Sequence, residues 1–472
     1  MEKRENPSPE DLRPMNLSTK LAARAAEGRP IRVGLIGAGK FGTMFLAQAR
    51  RTPGLHVMAV ADLSPPRAHA ALRAAGWSAE QAEAGSSAKA LRHGSTWITD
   101  DAEALIAAGG IEVVIEATGH PEAGLRHAAR CLEHGRHVVM VNVEADVLAG
   151  PLLARRFGAA GLVYSMAYGD QPALICELVD WARTCGLEVV GAGKGTKYLP
   201  DYHASTPDTV WEHYGLTPEQ AAAGGMNAKM FNSFLDGTKS AIEMAAVANA
   251  TGLGVPADGL GFPPVGCDDL PAVLKPRADG GVLERAGMVE VVSSLQRDGS
   301  PVAGDLRWGV WVTFAAPSDY AARCFAEYGL RTDDSGRYAA LWRPYHLIGL
   351  ELGVSVAAAA LRGEPTGHST AFRGDVVAVA KRDLAAGEVL DGEGGATVWG
   401  RLMPAETSVA ARALPMGLAQ GVTLTRPVAA GQVVSRDAVR LDPSALAVRL
   451  RHDLETAFCA LPPEDEGLPT AG

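Results

Sequence analysis

A lysine and an aspartate stand close together in the segment FLDGTKSAIE, where Asp236 and Lys239 mark the predicted start of a helix. Reduction of a carbonyl needs a cation or a proton donor beside the oxygen on which charge develops, and a lysine supplies both. Lys239 is therefore the leading candidate for a catalytic residue, and the carboxylate of Asp236 could orient its ammonium group. The alternative is structural: Thr238 or Asp236 caps the helix, and Lys239 pairs with Glu243 one turn further along.

Six further polar side chains fall at predicted strand or loop ends, which is where open α/β sheets carry their sites. They are the candidate substrate-binding residues Glu144, Asp170, Lys194, Thr196, Lys197 and Arg343. Lys194 and Lys197 flank Gly195, a position suited to recognition of a phosphate or carboxylate, although a solvated turn fits the same residues. Arg343 could clamp an anionic substrate or form a salt bridge between domains.

The sequence carries no spacing of residues typical of a metal centre. Glu144 and Asp170 could bind a divalent cation, but no local ligand pattern accompanies them, and we predict no metal site. The six cysteines are scattered, with no C-x-x-C pair, so we expect reduced thiols rather than a zinc site or a disulfide framework.

A glycine-rich turn follows the first predicted strand, IRVGLIG, and precedes a predicted helix. The candidate cofactor-binding residues of this turn are Gly37, Gly39, Lys40, Phe41 and Gly42. In a G-x-G-x-x-G turn the glycines allow the tight turn, the close approach of a pyrophosphate and the packing of helix on strand. The strand before the turn, the helix after it and an acid 20 residues after Gly42 favour dinucleotide binding over a turn that binds nothing.

Two residues near the end of the second predicted strand give competing indications of the dinucleotide. Asp62 could accept a hydrogen bond from a ribose 2′-hydroxyl, as in NAD, whereas Arg67 could pair with the 2′-phosphate of NADP. Thr118, Gly119 and Asn142 follow later strands, where the sheet is expected to open on the nicotinamide side. Turn formation and strand capping would explain these three residues equally well.

Strands alternate with helical stretches from Ile31 onward, a pattern that predicts right-handed crossovers and a parallel sheet. The predicted fold class is α/β, with an N-terminal Rossmann-type parallel sheet, a mixed α/β catalytic domain and a small β-rich C-terminal domain. The predicted boundaries are 1–164 for the dinucleotide-binding domain with an N-terminal extension, 165–345 for the catalytic domain, 346–372 for a buried returning helix, 373–445 for the β-rich domain, and 446–472 for a helix with a disordered tail.

An internal repeat lies in the β-rich region. Residues 382–393, RDLAAGEVLDGE, and residues 426–437, RPVAAGQVVSRD, share the frame R-x-[LV]-A-A-G-[EQ]-V. Each copy is predicted to form a strand, a glycine turn and a second strand. Two copies are too few for a solenoid and suit a small β-rich module.

The composition bounds the function classes. The 472 residues carry a formal charge of −10, which argues against nucleic acid as the main partner. Hydrophobic residues make up 47%, enough for a sizeable core, and no stretch approaches the roughly 18 apolar residues of a membrane span. The N-terminal segment lacks the apolar centre of a signal peptide, so we expect a cytoplasmic protein without a membrane partner.

The succession of IGAGKFG, VVMVNVEADV, YGDQPALI, GAGKGTKY, DGTKSAIEMAAVANATG and the two A-A-G segments resembles the homoserine-dehydrogenase-like superfamily. Within it, the chain is most similar to the 1-deoxy-D-xylulose 5-phosphate reductoisomerase-like branch, which ends in an SAF domain. The resemblance covers about residues 15 to 445. Gly191 to Thr196 is similar to the G-x-x-x-G-T segment that lines the substrate site of homoserine dehydrogenases. Asp236 and Lys239 approximately match their aspartate and catalytic lysine.

One position departs from the homoserine dehydrogenases, because Glu144 stands where those enzymes have a lysine. The resemblance therefore implies the reductoisomerase-like branch, in which a ketose phosphate is rearranged and reduced to 2-C-methyl-D-erythritol 4-phosphate, an isoprenoid precursor. It implies NADP(H) as the favoured cofactor, with NAD(H) possible, a small-molecule substrate and a homodimer. Lys194, Lys197 and Arg343 would bind the phosphate, and Asp236 or Glu144 would transfer protons.

Two alternatives remain open. The first is a homoserine-dehydrogenase-type oxidoreductase, and the second is a non-catalytic protein that binds a dinucleotide or a sugar.

Overall fold

Apolar strands that alternate with helices form a parallel sheet at the start of the chain. The computed structural model describes residues 16–82 and 84–459, so the predicted disordered tail, 462–472, lies outside the described residues. The strands of the first sheet are β1 (Ile31–Ile36), β2 (Leu55–Ala61), β3 (Trp97–Thr99), β4 (Val113–Glu116), β5 (His137–Met140) and β6 (Tyr164–Met166). Their order is β3-β2-β1-β4-β5-β6, with every neighbouring pair parallel. This is the strand order of a Rossmann fold, as predicted.

Helices cover both faces of this sheet. They are α1 (Leu17–Ala26), α2 (Lys40–Ala49), α3 (Pro65–Ala74), α4 (Ala79–Ala82), α5 (Ser87–His93), α6 (Ala102–Ala107), α7 (Pro121–Glu133) and α8 (Val143–Ala159). Apolar side chains of α2 and α3 pack on one face, and those of α6, α7 and α8 pack on the other. The carboxyl ends of the strands are thereby left open as the edge on which a ligand binds.

A second sheet follows, with helices before and after it. Its strands are β7 (Glu188–Thr196), β8 (Met288–Ser293), β9 (Val310–Ala315) and β10 (Tyr338–Arg343), in the order β10-β9-β7-β8. Only β7 and β8 pair in parallel within this sheet; the pairs of β7 with β9 and of β9 with β10 are antiparallel. The helices are α9 (Gln171–Thr184), α10 (Val210–Tyr214), α11 (Pro218–Ala223), α12 (Ala228–Leu235), α13 (Thr238–Thr251), α14 (Leu270–Val273) and α15 (Asp319–Glu327).

Helix α13 lies where the three parts of the molecule meet. Most of its residues are buried, because it packs against α8 of the first domain, α9 and β8 of the second, and β strands of the C-terminal domain. A helix that is apolar on nearly all sides belongs in an interior. The helix that carries Lys239 is therefore held in place from several directions.

The predicted returning helix begins later than expected. Residues 346–352 form turns, and α16 (Gly353–Arg362) starts only afterwards. Gly349 has a φ of +69°, and a Cβ there would lie 2.8 Å from the Cβ of Met44. The chain must turn at this point to pass α2, which rules out a helix from residue 346. Past the turn, α16 packs on the first sheet through Leu352, Val356 and Ala357.

The C-terminal domain is β-rich, as predicted, but its two repeats do not form separate hairpins. Its elements are β11 (Gly374–Ala380), β12 (Val389–Asp391), β13 (Val398–Pro404), α17 (Ala405–Ala410), β14 (Gln420–Leu424) and β15 (Val439–Arg440). Leu384 and Val428, at equivalent positions of the two repeats, exchange backbone hydrogen bonds of 2.9 and 3.0 Å. An isolated hairpin is marginally stable, and pairing the copies with each other buries both side chains.

The last described helix returns to the first domain. Helix α18 (Leu446–Cys459) packs against α7 and α8, although it follows the C-terminal domain in sequence. Its buried Arg451 donates to both carboxylate oxygens of Asp375 on β11, at 3.0 and 2.5 Å. None of the helices in the described ranges has the length and apolar character that crossing a bilayer requires.

Candidate active site

The glycine-rich turn has the geometry of a phosphate-binding loop. Gly37 has a φ of +100°, and a Cβ there would lie 2.5 Å from the carbonyl oxygen of Ala117. A Cβ on Gly42 would overlap the carbonyl oxygen of Gly37, so α2 could not pack as closely. A Cβ on Gly39, in contrast, would meet nothing within 4 Å. Open space therefore lies in front of the N-terminus of α2, where its free N–H groups and dipole favour an anion.

The carboxylate of Asp62 is fully engaged by the protein. It is buried and accepts hydrogen bonds of 2.8 Å from the backbone N–H groups of Ala38 and Ser64, and Arg67 lies 2.6 Å away. Burial alone would raise the pKa of Asp62, but the bonds from Arg67 and the two N–H groups hold it below its ordinary value. A ribose hydroxyl would have to compete with these partners, whereas the Arg67 side chain is 58% exposed.

Thr118 and Asn142 lie together at the carboxyl edge of the first sheet. Thr118 donates to Glu116 at 2.6 Å, and Asn142 donates to the carbonyl of His120 at 2.9 Å. Asn142 also caps α8 by accepting from Ala145, at 3.1 Å. The capping and turn roles considered for Thr118 and Asn142 are thus observed.

Lys239 forms its ion pair with Glu144, at 2.5 Å, and not with Asp236 or Glu243. Glu144 stands in the first turn of α8, next to Asn142, so the pair joins the edge of the first sheet to the start of α13. Burial would lower the pKa of Lys239, but the carboxylates of Glu144, Glu243 and others outweigh burial and raise it. The ammonium group is therefore held protonated at the point where the first two domains meet.

Asp236 forms its ion pair with a lysine other than Lys239. It is buried and binds Lys381 of the C-terminal domain at 2.8 Å, while Lys381 also donates to the carbonyl oxygens of Ser205 and Gly395, at 2.6 and 2.7 Å. Its other oxygen accepts from the N–H of Thr238, at 2.9 Å. Asp236 thus links two domains and does not orient Lys239, because Lys381 occupies its carboxylate.

Two of the predicted substrate cations already have carboxylate partners. Lys194 lies within β7 rather than in a turn and forms a buried ion pair with Glu243. Arg343 pairs with Glu351, which is the salt-bridge alternative considered from the sequence. Thr196 is buried at the end of β7. A substrate phosphate at either cation would lie next to the carboxylate with which that cation is paired, and the two negative charges would repel each other.

Lys197 and Arg307 differ from these cations, because neither forms an ion pair with a carboxylate in the part of the chain that the structure describes. Lys197 donates to the carbonyl of His213 and lies 5.3 Å from the ring centre of Tyr214. Arg307 lies 6.0 Å from the same ring. Burial, and then the charge of Arg307, lowers the pKa of Lys197. Two half-buried cations that face each other would be stabilised by an anion between them.

Arg307 was not predicted, because no motif surrounds it. The backbone at Leu306 and Arg307 comes close to β7, and a Cβ on Gly195 would overlap the carbonyl of Leu306. This approach of residues distant in the sequence is possible only at a glycine, and it brings Arg307 beside Lys197.

Asp170 and His346 lie near the loop that carries Arg307. Nδ1 of His346 lies 2.7 Å from the carbonyl of Trp308, the residue after Arg307, and Gln171 donates to the carbonyl of Gly309 at 3.2 Å. Asp170 caps α9, and its pKa is raised by burial and by Glu243 while the charges of Lys239 and His346 oppose that rise. The start of α9 is therefore close to this loop. Among the described residues, no three His, Cys, Asp or Glu side chains are grouped as ligands of a metal ion.

Three family models match successive parts of the chain. Residues 31–140 match the NAD-binding Rossmann fold of an oxidoreductase family, residues 169–352 the catalytic domain of the oxidoreductase DRL, and residues 375–440 the SAF domain. The chain is an NAD(P)-dependent oxidoreductase. The DRL and SAF parts of the predicted resemblance are confirmed, and so is a nicotinamide dinucleotide as cofactor.

The chain is also similar to solved structures. A putative NADPH-dependent oxidoreductase from Desulfitobacterium hafniense is 10% identical, with a TM-score of 0.36 over 71% of this chain and 89% of that one. A probable dehydrogenase from Thermotoga maritima is 13% identical, with a TM-score of 0.34 over 71% and 90%. An apo scyllo-inositol dehydrogenase from Lactobacillus casei is 13% identical, with a TM-score of 0.25 over 36% of this chain and 46% of that one. The match thus spans under half the length of the scyllo-inositol dehydrogenase. Similarities this low do not indicate a substrate. No curated protein matches the chain.

Proposed function

We propose that the protein is an NADP(H)-dependent oxidoreductase that reduces the carbonyl of a small hydroxylated substrate carrying one anionic group, a ketose phosphate of the 1-deoxy-D-xylulose 5-phosphate type. The ion pair between Lys239 and Glu144 carries this proposal. It places a protonated ammonium group against Glu144, two residues after Asn142, in the helix that follows β5 of the sheet whose glycine turn suits a dinucleotide.

The chemistry needs a hydride at the carbonyl carbon and a proton at its oxygen. Bound nicotinamide supplies the hydride. Lys239 supplies the proton from Nζ, and its positive charge stabilises the oxygen as negative charge develops there. Glu144 fixes the position of the ammonium group and favours its charged form.

A rearrangement before reduction is compatible with the same pair. In this conversion of a ketose to the isomeric aldehyde, a proton leaves the hydroxyl of carbon 3, carbon 4 migrates with its bonding electrons from carbon 3 to carbon 2 as carbon 3 becomes the aldehyde, and the former carbonyl oxygen on carbon 2 takes up a proton. Glu144 would accept the first proton and Lys239 would give the second, so that the pair acts as base and acid.

Arg67 supports NADP(H) over NAD(H). Asp62 is neutralised by Arg67 and by two backbone N–H groups, so it offers little to a ribose 2′-hydroxyl. The exposed Arg67 guanidinium lies at the N-terminal end of α3, where a 2′-phosphate could bind both its charge and the helix N-terminus.

Lys197 and Arg307 support an anionic group on the substrate. Both are half-buried, neither pairs with a carboxylate among the described residues, and both lie beside the ring of Tyr214. A single phosphate between them would be stabilised by both charges.

The test is NADPH oxidation with 1-deoxy-D-xylulose 5-phosphate and, in parallel, with unphosphorylated 1-deoxy-D-xylulose. We expect turnover of the phosphorylated ketose, a loss of kcat of at least about 100-fold in Lys239→Met, and partial activity in Lys239→Arg, which keeps the charge. Identification of the product distinguishes a rearranged polyol phosphate from a simply reduced one. Wild-type activity that Lys239→Met retains would refute the role of Lys239.

A further inference from the structure

The loop between β12 and β13 of the C-terminal domain is bonded to the segment that leads into α13, because Lys381 donates both to the carbonyl of Gly395 in this loop and to Asp236, three residues before Lys239. Glu393 stands in this loop and accepts a hydrogen bond of 2.5 Å from the hydroxyl of Ser233 on α12. Its side chain is half-buried, at the contact between the C-terminal and catalytic domains. No sequence motif pointed to this residue.

The loop is held too firmly to be an ordinary surface turn. Lys229 donates to the carbonyl of Asp391 at 2.5 Å, and Asn232 donates to the carbonyl of Gly394 at 2.9 Å. Gly394 has a φ of +65°, and a Cβ there would overlap the carbonyl of Lys229. Only a glycine allows this approach, which fixes Glu393 against α12.

Asp391 fastens the loop from within. Its carboxylate accepts from the N–H groups of Ala396 and Thr397, at 2.6 and 3.1 Å. Together with the bonds to α12, these contacts bring the backbone of Glu393 to one defined position.

The charged groups that face Glu393 come from several elements. Glu144 of α8 and Asp236 before α13 are acidic, whereas Lys239 of α13 is basic. Lys229 and Lys381 bond the backbone of the loop. Burial, followed by the charge of Glu144, raises the pKa of Glu393 to about 8, against the influence of Lys239. Glu393 therefore carries its proton at neutral pH and is able to give it up.

We propose that Glu393 is a proton-relay residue of the active site, supplied by the C-terminal domain of the same chain. This inference rests on the proposed function of Lys239. After Lys239 has given its proton to the reduced oxygen, Glu393 gives its proton to the Lys239 amine through one bridging hydroxyl or water. Glu393 then becomes a carboxylate and takes up a proton from solvent at the mouth of the crevice. Each reduction thus consumes one hydride and one solvent proton.

The test is the pH dependence of NADPH oxidation by the full-length Glu393→Gln variant. Glutamine still accepts the hydrogen bond from Ser233 but cannot exchange a proton. For the wild type we expect kcat to fall above a pH of about 8, as Glu393 loses its proton. For Glu393→Gln we expect a kcat at neutral pH that is at least about 100-fold lower, a similar KM and no decline near pH 8. Glu406→Gln, an exposed acid on α17, is the matched control and should behave as the wild type.

Each result decides a different point. A lower kcat in Glu393→Gln, together with loss of the decline in kcat above pH 8, supports the relay. An unchanged rate and pH profile in Glu393→Gln, with an active wild type, would overturn the relay and leave the proposed function intact. A wild type that turns over neither ketose overturns the proposed function and the relay with it. Carbon NMR of the full chain assigns the Glu393 carboxyl as the signal missing from Glu393→Gln, and the remaining signals of the variant, if unchanged, show that it is folded. A Glu393 carboxyl that titrates near 4.5 would also overturn the relay.

Discussion

Replacement of Lys381 by methionine should weaken the contact between the C-terminal domain and the catalytic domain. The Lys381 side chain is 2% exposed and that of Asp236 is 0% exposed, and the ammonium group has three oxygen acceptors between 2.6 and 2.8 Å. Removing one partner of a buried ion pair leaves the other charge buried and uncompensated, at a cost of about 3 to 5 kcal/mol in the free energy of unfolding. A loss of about 3 kcal/mol corresponds to a fall of roughly 6 to 12 °C in the thermal unfolding midpoint of a domain of about 150 to 250 residues, the size class of the catalytic domain.

Differential scanning calorimetry measures this effect as the midpoint of the first thermal transition. The double variant Lys381→Met with Asp236→Asn should recover part of the loss, because the carboxylate left behind is then neutral. Arg412→Met is the matched control, since it breaks an exposed ion pair with Asp437 in the same domain and should cost at most about 1 kcal/mol. If Lys381→Met and Arg412→Met shift the midpoint equally, the buried pair does not hold the domains together.

Three further predictions concern the cofactor, the substrate and acid stability. Arg67→Ala should raise the KM for NADPH at least tenfold and leave the KM for NADH within about threefold of the wild-type value. Steady-state kinetics with both cofactors measures this difference. An equal rise in both KM values would refute a contact with the 2′-phosphate. Lys197→Ala and Arg307→Ala should each raise the KM for the phosphorylated ketose about tenfold without a comparable effect on the unphosphorylated one. Burial would raise the pKa of Glu455, but Arg436 and Arg451 hold it below its ordinary value. The stabilising contribution of Glu455 is therefore present above pH 4.5 and is lost as pH falls through the lowered pKa. Glu455→Gln should therefore lower the urea midpoint at pH 7 and have a smaller effect at pH 3; a pH-independent difference would contradict this linkage.

Local patterns predicted the first domain well. The alternation of apolar strands with helices, and the glycine turn with Asp62 after the next strand, depend on residues close in sequence. Such residues determine local geometry largely by themselves, and the structure shows Gly37 and Gly42 where only glycine fits.

Contacts across the chain could not be predicted in the same way. The partner of Lys239 is 95 residues away, at Glu144, and the partner of Asp236 is 145 residues away, at Lys381. Two acids close in sequence, Asp236 and Glu243, were candidate partners of Lys239. The packing of α8 against α13 brings Glu144 to Lys239 instead. Arg307 lies outside any motif and reaches its site only because the backbone at Leu306 approaches Gly195.

The positions of α16 and α18 bear on how this protein can be dissected. Both helices pack on the first domain, one before the C-terminal domain and one after it. In topological terms the C-terminal domain is an insertion into the first domain rather than an appendage. A truncation after residue 373 would therefore strip α18 from α7 and α8 and expose their apolar surface. An internal excision of 374–440 that joins the flanking segments with a short flexible linker would keep that surface covered, and it is the deletion that isolates what the inserted domain contributes.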